Sequence, residues 1–142
     1  KIINHVQQIT KFYKKNFGIN PKIGITGLNP HCESNFQKSE EEEFIIPAIK
    51  NLSKKKFKVS GPYAADTIFL KEKSKDFDVI VGMYHDQVLS PIKSMFGFNA
   101  INITLGLPFI RISPDHGPNV KMFLKKKSNP DSLIKAIKFL DK

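Results

Sequence analysis

Two histidines, His31 and His85, stand just past the ends of two segments whose composition predicts β-strands. The apolar segment 77–83 runs directly into Tyr84 and His85, and the shorter segment 22–26 runs into a turn that ends at His31. The carboxyl ends of parallel strands are where open α/β sheets form their ligand crevice. A histidine there can offer a neutral imidazole to a metal or carry a proton near neutral pH. The spacing therefore predicts a divalent-metal or acid–base site built by the two segments together.

Further polar side chains fall where this architecture would put a site. They are Asn29, Asp66, Asp86, Lys93, Asn102, Arg111, Asp115 and His116. Simpler interpretations stay open: a lone histidine in a turn is more often a hydrogen-bonding partner than a ligand, Asp86 could be a helix N-cap, and Lys93 alone would be solvated. Asn102 lies in an apolar strand pattern, so its amide needs a partner. Cys32 is expected to be a small side chain packed beside the turn, because no second cysteine completes a sulfur site.

Arginine usage singles out one position. Of the 23 basic residues, 22 are lysine and one is Arg111. Where a chain uses lysine almost everywhere, its one arginine is a candidate for a task that lysine cannot perform. That task is usually a bidentate grip on a carboxylate or phosphate.

The overall composition narrows the functional class. The chain has 142 residues, 40% hydrophobic and 25% charged, which is enough for one domain with a core. No apolar run approaches the roughly 18 residues of a membrane span, and a single cysteine is typical of a reducing cytoplasm. The net charge of +10 comes from lysines spread over nearly every segment, without a basic stripe interleaved with aromatic residues. We therefore expect neither a nucleic-acid partner nor a membrane.

Periodicity places the polar residues on alternating helices and strands. Apolar residues recur at helical spacing from Ile2 to Phe17, with Gly18 as C-cap and His5 on the solvent side, and Ser39 opens a capping box before a helix of about four turns. The later elements are predicted as a strand at 57–59, a turn at 61–62, a short helix at 64–70, a helix at 86–96, extended segments at 100–104 and 108–112, an irregular loop at 113–118 and a helix from about 129. This alternation predicts an α/β layered domain with a largely parallel sheet.

Taken together, the motifs resemble one family. They are Gly27-Leu28-Asn29-Pro30-His31, Ala65-Asp66-Thr67, Met83-Tyr84-His85-Asp86-Gln87 with Lys93, Asn102 through Arg111, and Asp115-His116-Gly117. Their order and spacing closely resemble the 4-hydroxythreonine-4-phosphate dehydrogenases of pyridoxine (vitamin B6) biosynthesis, over essentially the whole chain from Ile23 onward. Each motif alone would be weak, whereas the combination is highly specific.

The resemblance implies a fold like the isocitrate and isopropylmalate dehydrogenases, with residues 1–142 as the carboxyl-terminal part of a two-domain enzyme and the upstream domain absent. It implies a cytoplasmic homodimer with active sites at the subunit interface, using NAD or NADP and a divalent metal (Zn, Mg or Co). The implied substrate is 4-phosphooxy-L-threonine. Its C3 hydroxyl is oxidised to give 2-amino-3-oxo-4-phosphooxybutanoate, which loses CO₂ to form 3-amino-2-oxopropyl phosphate.

Carried onto this chain, the resemblance makes His31 and His85 two of three metal-ligating histidines, the third lying upstream of Lys1. Asp86 is the implied catalytic group, because it could orient an imidazole or assist proton removal. The implied substrate-binding residues are Asp66, Lys93, Asn102 and Arg111. No residue is assigned to the redox cofactor. With only two of three metal histidines, the isolated chain is expected to be inactive.

Two departures and two alternatives accompany this interpretation. The family's glycine-rich stretch is replaced at 32–38, and Pro118 and Asn119 stand where the family usually has Thr and Ala. One alternative is a dehydrogenase of the same family acting on another phosphorylated hydroxy acid, such as a four-carbon sugar-acid phosphate. The other is a non-catalytic metal- or phosphate-binding module.

Overall fold

Three parallel strands organise the first part of the chain. In the computed structural model, which describes residues 1–32, 38–115, 123, 125 and 128–141, strand β1 (Ile23–Thr26) lies between β2 (Val59–Tyr63) and β3 (Val79–Val81). All four β1 residues are buried, as expected for a central parallel strand covered on both faces. Residues 33–37 of the altered stretch 32–38, and the residues His116, Pro118 and Asn119, lie outside the described residues.

The described residues divide into two compact units, Lys1–Pro91 and Ile92–Lys142. The helical elements in chain order are α1 (Ile2–Phe17), a π-helical turn (Glu41–Ile45), α2 (Ile46–Lys54), α3 (Lys71–Ser74), α4 (His85–Phe96) and α5 (Asp131–Leu140). The second unit adds β4 (Ile101–Thr104) and β5 (Arg111–Pro114), which pair antiparallel, and α5 packs against both strands. The α/β class with a parallel sheet is thus confirmed, and the antiparallel pair adds to it. Among the described residues, no helix has the length and apolar character needed to cross a membrane.

The core of the first unit follows the predicted periodicity. Helix α1 buries Val6 and ends at Gly18, whose φ of 70° is left-handed and whose N–H bonds to the Lys14 carbonyl, so the predicted C-cap is confirmed. His5 is exposed, as expected. Leu52 on α2 packs with Val6 and the β1 isoleucines in one buried cluster. The predicted cap before α2 is present in part, because the Ser39 hydroxyl accepts the Glu42 N–H at 3.3 Å.

Three local predictions are wrong. Gly61 and Pro62 belong to β2 rather than to a turn, joined by a cis peptide bond; glycine fits there because a Cβ on Gly61 would lie 2.4 Å from the Ile25 carbonyl oxygen. Segment 64–70 forms turns, with the helix starting only at Lys71. Ser113 and Pro114 extend β5 instead of lying in an irregular loop, a position that proline tolerates in a two-stranded sheet made of edges.

Candidate functional site

His31 sits at the end of the turn that leaves β1. Its backbone N–H donates to the Asn29 side-chain oxygen at 3.0 Å, an Asx-type turn that asparagine favours. The Asn29 N–H in turn donates to a Glu41 carboxylate oxygen at 2.7 Å. The His31 imidazole is exposed, with its Nδ1 3.8 Å from an Asp66 carboxylate oxygen. The turn is therefore fixed by its backbone, and the ring is free to meet a ligand.

His85 is the first residue of α4, four positions after the end of β3. Its Nδ1 lies 2.8 Å from an Asp86 carboxylate oxygen, and both side chains are exposed. Asp86 is thus inside the first turn rather than at the N-cap. A carboxylate on one ring nitrogen fixes the orientation of an imidazole and leaves its other nitrogen for a ligand.

The two histidines emerge from the same edge of one sheet. β1 and β3 are hydrogen-bonded neighbours in parallel register, with Ile23 opposite Val79 and Ile25 opposite Val81. The loops that follow them therefore start side by side, as predicted from the sequence. This edge of the first unit carries His31 and His85, together with the carboxylates of Asp66 and Asp86.

Gln87, which the sequence motif contained but which received no role, makes three hydrogen bonds at this edge. It is 6% exposed. Its amide nitrogen donates to the Gly27 carbonyl at 2.8 Å, and its oxygen accepts from the Thr26 hydroxyl at 2.8 Å and from the Met83 N–H at 2.7 Å. One side chain therefore joins the carboxyl end of β1 to the loop after β3.

Glu41 is a second residue that sequence reasoning missed. The residue is 2% exposed, and its carboxylate accepts the Asn29 N–H and so holds the β1 turn. From the sequence alone, the acidic run 40–43 indicates only negative charge at a helix N-terminus. A lone buried acid within a run of exposed ones gives no signal in composition. The Cys32 sulfur also lies close to Gly27 in this turn, and burial raises the pKa of its thiol, which agrees with a packed side chain.

The donor set suits a divalent metal only as part of a larger set. Within the described residues, no group of three or more histidine, cysteine or carboxylate side chains could hold a metal ion. His85 has a carboxylate hydrogen-bonded to its Nδ1, the arrangement usual for metal-ligating imidazoles, whereas the carboxylate nearest His31 Nδ1 is 3.8 Å away. Catalytic zinc sites generally use three protein ligands, so two imidazoles fit the group chemically and require a third donor.

In the second unit, Lys93 is held by Asp115. Its ammonium lies 2.9 Å from the Asp115 carboxylate, also contacts the Asp115 carbonyl oxygen, and sits 5.3 Å from the centre of the Phe98 ring. Asp115 is itself anchored, because its N–H donates to the Ser132 hydroxyl at 3.0 Å. The Lys93 side chain is about two-thirds covered and its ammonium is paired with Asp115, so Lys93 is a fixed charge and not a solvated surface lysine.

Arg111 and Asn102 lie on the antiparallel pair. Arg111 opens β5 opposite Thr104 and donates to the Thr104 hydroxyl at 2.9 Å. Within the described part of the second unit it forms no ion pair with a carboxylate, so its guanidinium has donors left for an anion. Asn102 is exposed, and the expectation that burial forces a partner on its amide is therefore wrong.

Comparisons with known proteins agree with the motifs. The sequence profile described as "Pyridoxal phosphate biosynthetic protein PdxA" matches residues 1–140. A 4-hydroxythreonine-4-phosphate dehydrogenase of Sulfurihydrogenibium sp. is 46% identical over 139 residues, which are 96% of this chain and 42% of the relative. A relative from Oceanobacillus iheyensis, 44% identical over 95% of this chain and 42% of its own length, carries a name that suggests a D-threonate 4-phosphate dehydrogenase.

Solved structures give the same result for the fold. The crystal structure of a 4-hydroxythreonine-4-phosphate dehydrogenase from Klebsiella pneumoniae superposes with a TM-score of 0.80 at 33% identity, covering 96% of this chain and 42% of that one. The corresponding enzyme from Burkholderia phymatum gives a TM-score of 0.74 at 38% identity with the same coverage. The chain thus spans about two fifths of the length of the relatives it matches.

Proposed function

Since the chain belongs to the family of pyridoxal phosphate biosynthetic protein PdxA, we propose that its full-length protein is a 4-hydroxythreonine-4-phosphate dehydrogenase. It oxidises 4-phosphooxy-L-threonine with NAD or NADP to 2-amino-3-oxo-4-phosphooxybutanoate, which decarboxylates to 3-amino-2-oxopropyl phosphate. One observation carries the proposal beyond the family match. The two histidines that the resemblance assigns to a metal follow the carboxyl ends of two adjacent parallel strands, where α/β sheets bind ligands.

His31 and His85 would hold the divalent cation (Zn, Mg or Co), together with a third histidine from upstream of Lys1. A cation held there would supply Lewis acidity, favouring loss of the proton from the substrate hydroxyl and polarisation of the ketone from which CO₂ departs. Asp86 keeps the His85 ring in place through Nδ1, at 2.8 Å. Its second carboxylate oxygen can accept the proton of the C3 hydroxyl as that group is oxidised.

The substrate is bound by opposite charges. Arg111 has guanidinium donors available for a carboxylate or phosphate, and its bond to Thr104 at 2.9 Å directs the side chain. Lys93 supplies a second positive charge, and Asn102 and Asp66 supply polar contacts to the remaining groups of the substrate. The nicotinamide supplies the hydride acceptor. We further propose a homodimer in the cytoplasm, with active sites at the interface.

A second candidate is a dehydrogenase of a four-carbon sugar-acid phosphate. The observation that favours it is the Oceanobacillus iheyensis relative named for D-threonate 4-phosphate, which is nearly as similar as the relatives named for 4-hydroxythreonine-4-phosphate. The two substrates share a C3 hydroxyl and a terminal phosphate, and differ in carrying an amino or a hydroxyl group beside the carboxylate. The same metal and anion contacts would serve both.

The test is an assay of the full-length protein on both substrates with NAD or NADP and added Zn²⁺, followed by absorbance at 340 nm. We expect 4-phosphooxy-L-threonine to be the better substrate by kcat/KM. Preference for D-threonate 4-phosphate would favour the second candidate, and metal binding without turnover of either would indicate a non-catalytic module.

The metal assignment has a matched control within the chain. His31→Ala and His85→Ala should each abolish most zinc binding and activity at an unchanged melting temperature, because both side chains are exposed. His5→Ala, an exposed histidine on α1, should change neither quantity. Stoichiometric zinc in either site variant would refute the assignment.

A further inference from the structure

We propose that Gln87 is the positioning residue for the two metal-binding histidines, holding the β1 turn and the β3 loop at a fixed separation. The inference rests on the proposed metal role of His31 and His85. In this proposal a neutral, buried side chain sets the distance between His31 and His85, which lie 54 positions apart in the chain.

The hydrogen bonds of Gln87 end on both loops. The acceptor of its amide N–H is the carbonyl of Gly27 at 2.8 Å, the first residue after β1 and the start of the turn that ends at His31. The donor to its amide oxygen is the Met83 N–H at 2.7 Å, two residues before His85. The third bond, from the Thr26 hydroxyl at 2.8 Å, fixes the amide to the strand itself.

The location of Gln87 makes these bonds restrictive. The residue is 6% exposed, so water has little access to replace its hydrogen bonds. Loss of these bonds would leave the Gly27 carbonyl and the Met83 N–H unpaired, which carries a desolvation penalty. The loop between β3 and α4 is also closely packed, because a Cβ on Gly82 would lie 2.4 Å from a Val88 methyl group. The loop after β3 is thus packed closely against α4, and Gln87 joins this packed loop to the end of β1.

An apolar side chain of equal length would fill the same space without this effect. Gln87→Met keeps a side chain of similar length and volume and removes all three hydrogen bonds. The chain also offers a control in the same network. Thr26→Val is nearly isosteric and removes the hydroxyl bond to Gln87, yet leaves both loop bonds of the glutamine in place.

The experiment measures Zn²⁺ affinity of the full-length protein by competition with a fluorescent zinc chelator, below the melting transition of every variant. Gln87→Met should raise the zinc Kd by about tenfold, the lower end of the range for groups that orient metal ligands. Thr26→Val should lower the melting temperature as well but leave the zinc Kd within twofold. Should Gln87→Met not fold, Gln87→Glu is measured instead. It keeps both acceptor bonds and replaces the donor to Gly27 by a carboxylate oxygen that repels the Gly27 carbonyl, so its zinc Kd should also rise, and an unchanged zinc Kd would overturn the positioning role.

The outcomes separate this inference from the proposed function. If Gln87→Met binds zinc as tightly as the wild type while melting at a lower temperature, Gln87 is structural only and the positioning role is overturned. Equal losses of affinity in Gln87→Met and Thr26→Val would overturn it too, because general loosening of the strand end would then explain both. If zinc binding survives His31→Ala and His85→Ala, the metal assignment fails and the positioning role fails with it.

Discussion

The rings of the two histidines are held to different degrees. His85 Nδ1 lies 2.8 Å from Asp86, a charge-assisted hydrogen bond, whereas His31 Nδ1 lies 3.8 Å from Asp66, which is beyond hydrogen-bond distance. Both pairs are exposed, so neither contributes much to stability. A carboxylate at this position can orient the imidazole ring, and of the two rings only that of His85 is held by a hydrogen bond to a neighbouring carboxylate.

This difference predicts unequal effects of two equivalent substitutions. Asp86→Asn in the full-length protein should raise the zinc Kd about tenfold, because losing a carboxylate partner of a ligating imidazole costs 10- to 100-fold in affinity. Asp66→Asn should raise it less than threefold. Zinc competition titrations with melting curves test this, and equal effects of both substitutions would contradict it.

Arg111 carries the second prediction for a single side chain. Arg111→Lys keeps the charge but loses the planar fork, so kcat/KM for the phosphorylated substrate should fall by one to two orders of magnitude, corresponding to about 1.5–3 kcal/mol. Stability should change little, since the guanidinium is exposed and its bond goes to the Thr104 hydroxyl. Steady-state kinetics and a thermal melt decide the matter: normal kinetics with a lowered melting temperature would indicate a purely structural arginine.

At the scale of the elements, the β1–β2 pair is formed around a glycine that no other residue can replace. The pairing shifts register between Gly24 and Thr26, and Gly61 passes at φ +137° with its Cα facing the Ile25 backbone. Both the conformation and the close approach exclude a side chain. The position of the central strand, and with it the turn to His31, depends on this contact.

Two glycine substitutions separate conformational strain from steric contact. Gly61→Ala would place its Cβ 2.4 Å from a backbone oxygen, so we expect a loss of at least about 3 kcal/mol in the free energy of unfolding. Gly18→Ala, at φ +70° with nothing within 4 Å of its Cβ, should lose only about 1 kcal/mol. Urea denaturation measures both; similar losses would show that the close approach costs nothing.

The elements that could be predicted from the sequence are those whose signal is local. The α1 periodicity with Gly18, the two strands leading to the histidines and the α4 helix all follow from patterns within a few residues. The predictions are wrong where a contact with a distant segment determines the local structure. The sequence Gly61-Pro62 predicts a turn, but pairing with β1 makes it part of a strand. Likewise the hydrogen bonds of Gln87 reach residues 60 and 61 positions away, a distance over which no sequence pattern indicates a contact.

The whole molecule distributes the predicted site residues over both of its units. The metal and acid–base candidates belong to Lys1–Pro91, while Lys93, Asn102 and Arg111 belong to Ile92–Lys142. The Sulfurihydrogenibium relative, of which this chain spans 42%, has a further portion that this chain does not cover.

The missing third metal ligand predicts that the 142-residue chain, purified alone, will not oxidise 4-phosphooxy-L-threonine. Its described residues hold no group of three metal-binding side chains, and two imidazoles alone bind a catalytic metal weakly compared with three ligands. The measurement is NADH formation at 340 nm by the chain and by the full-length protein at equal concentration, with far-ultraviolet circular dichroism to establish that the chain is folded. We expect turnover only in the full-length protein. NADH formation by the folded chain would contradict the prediction, and loss of that activity in His5→Ala or His116→Ala would identify the substitute ligand.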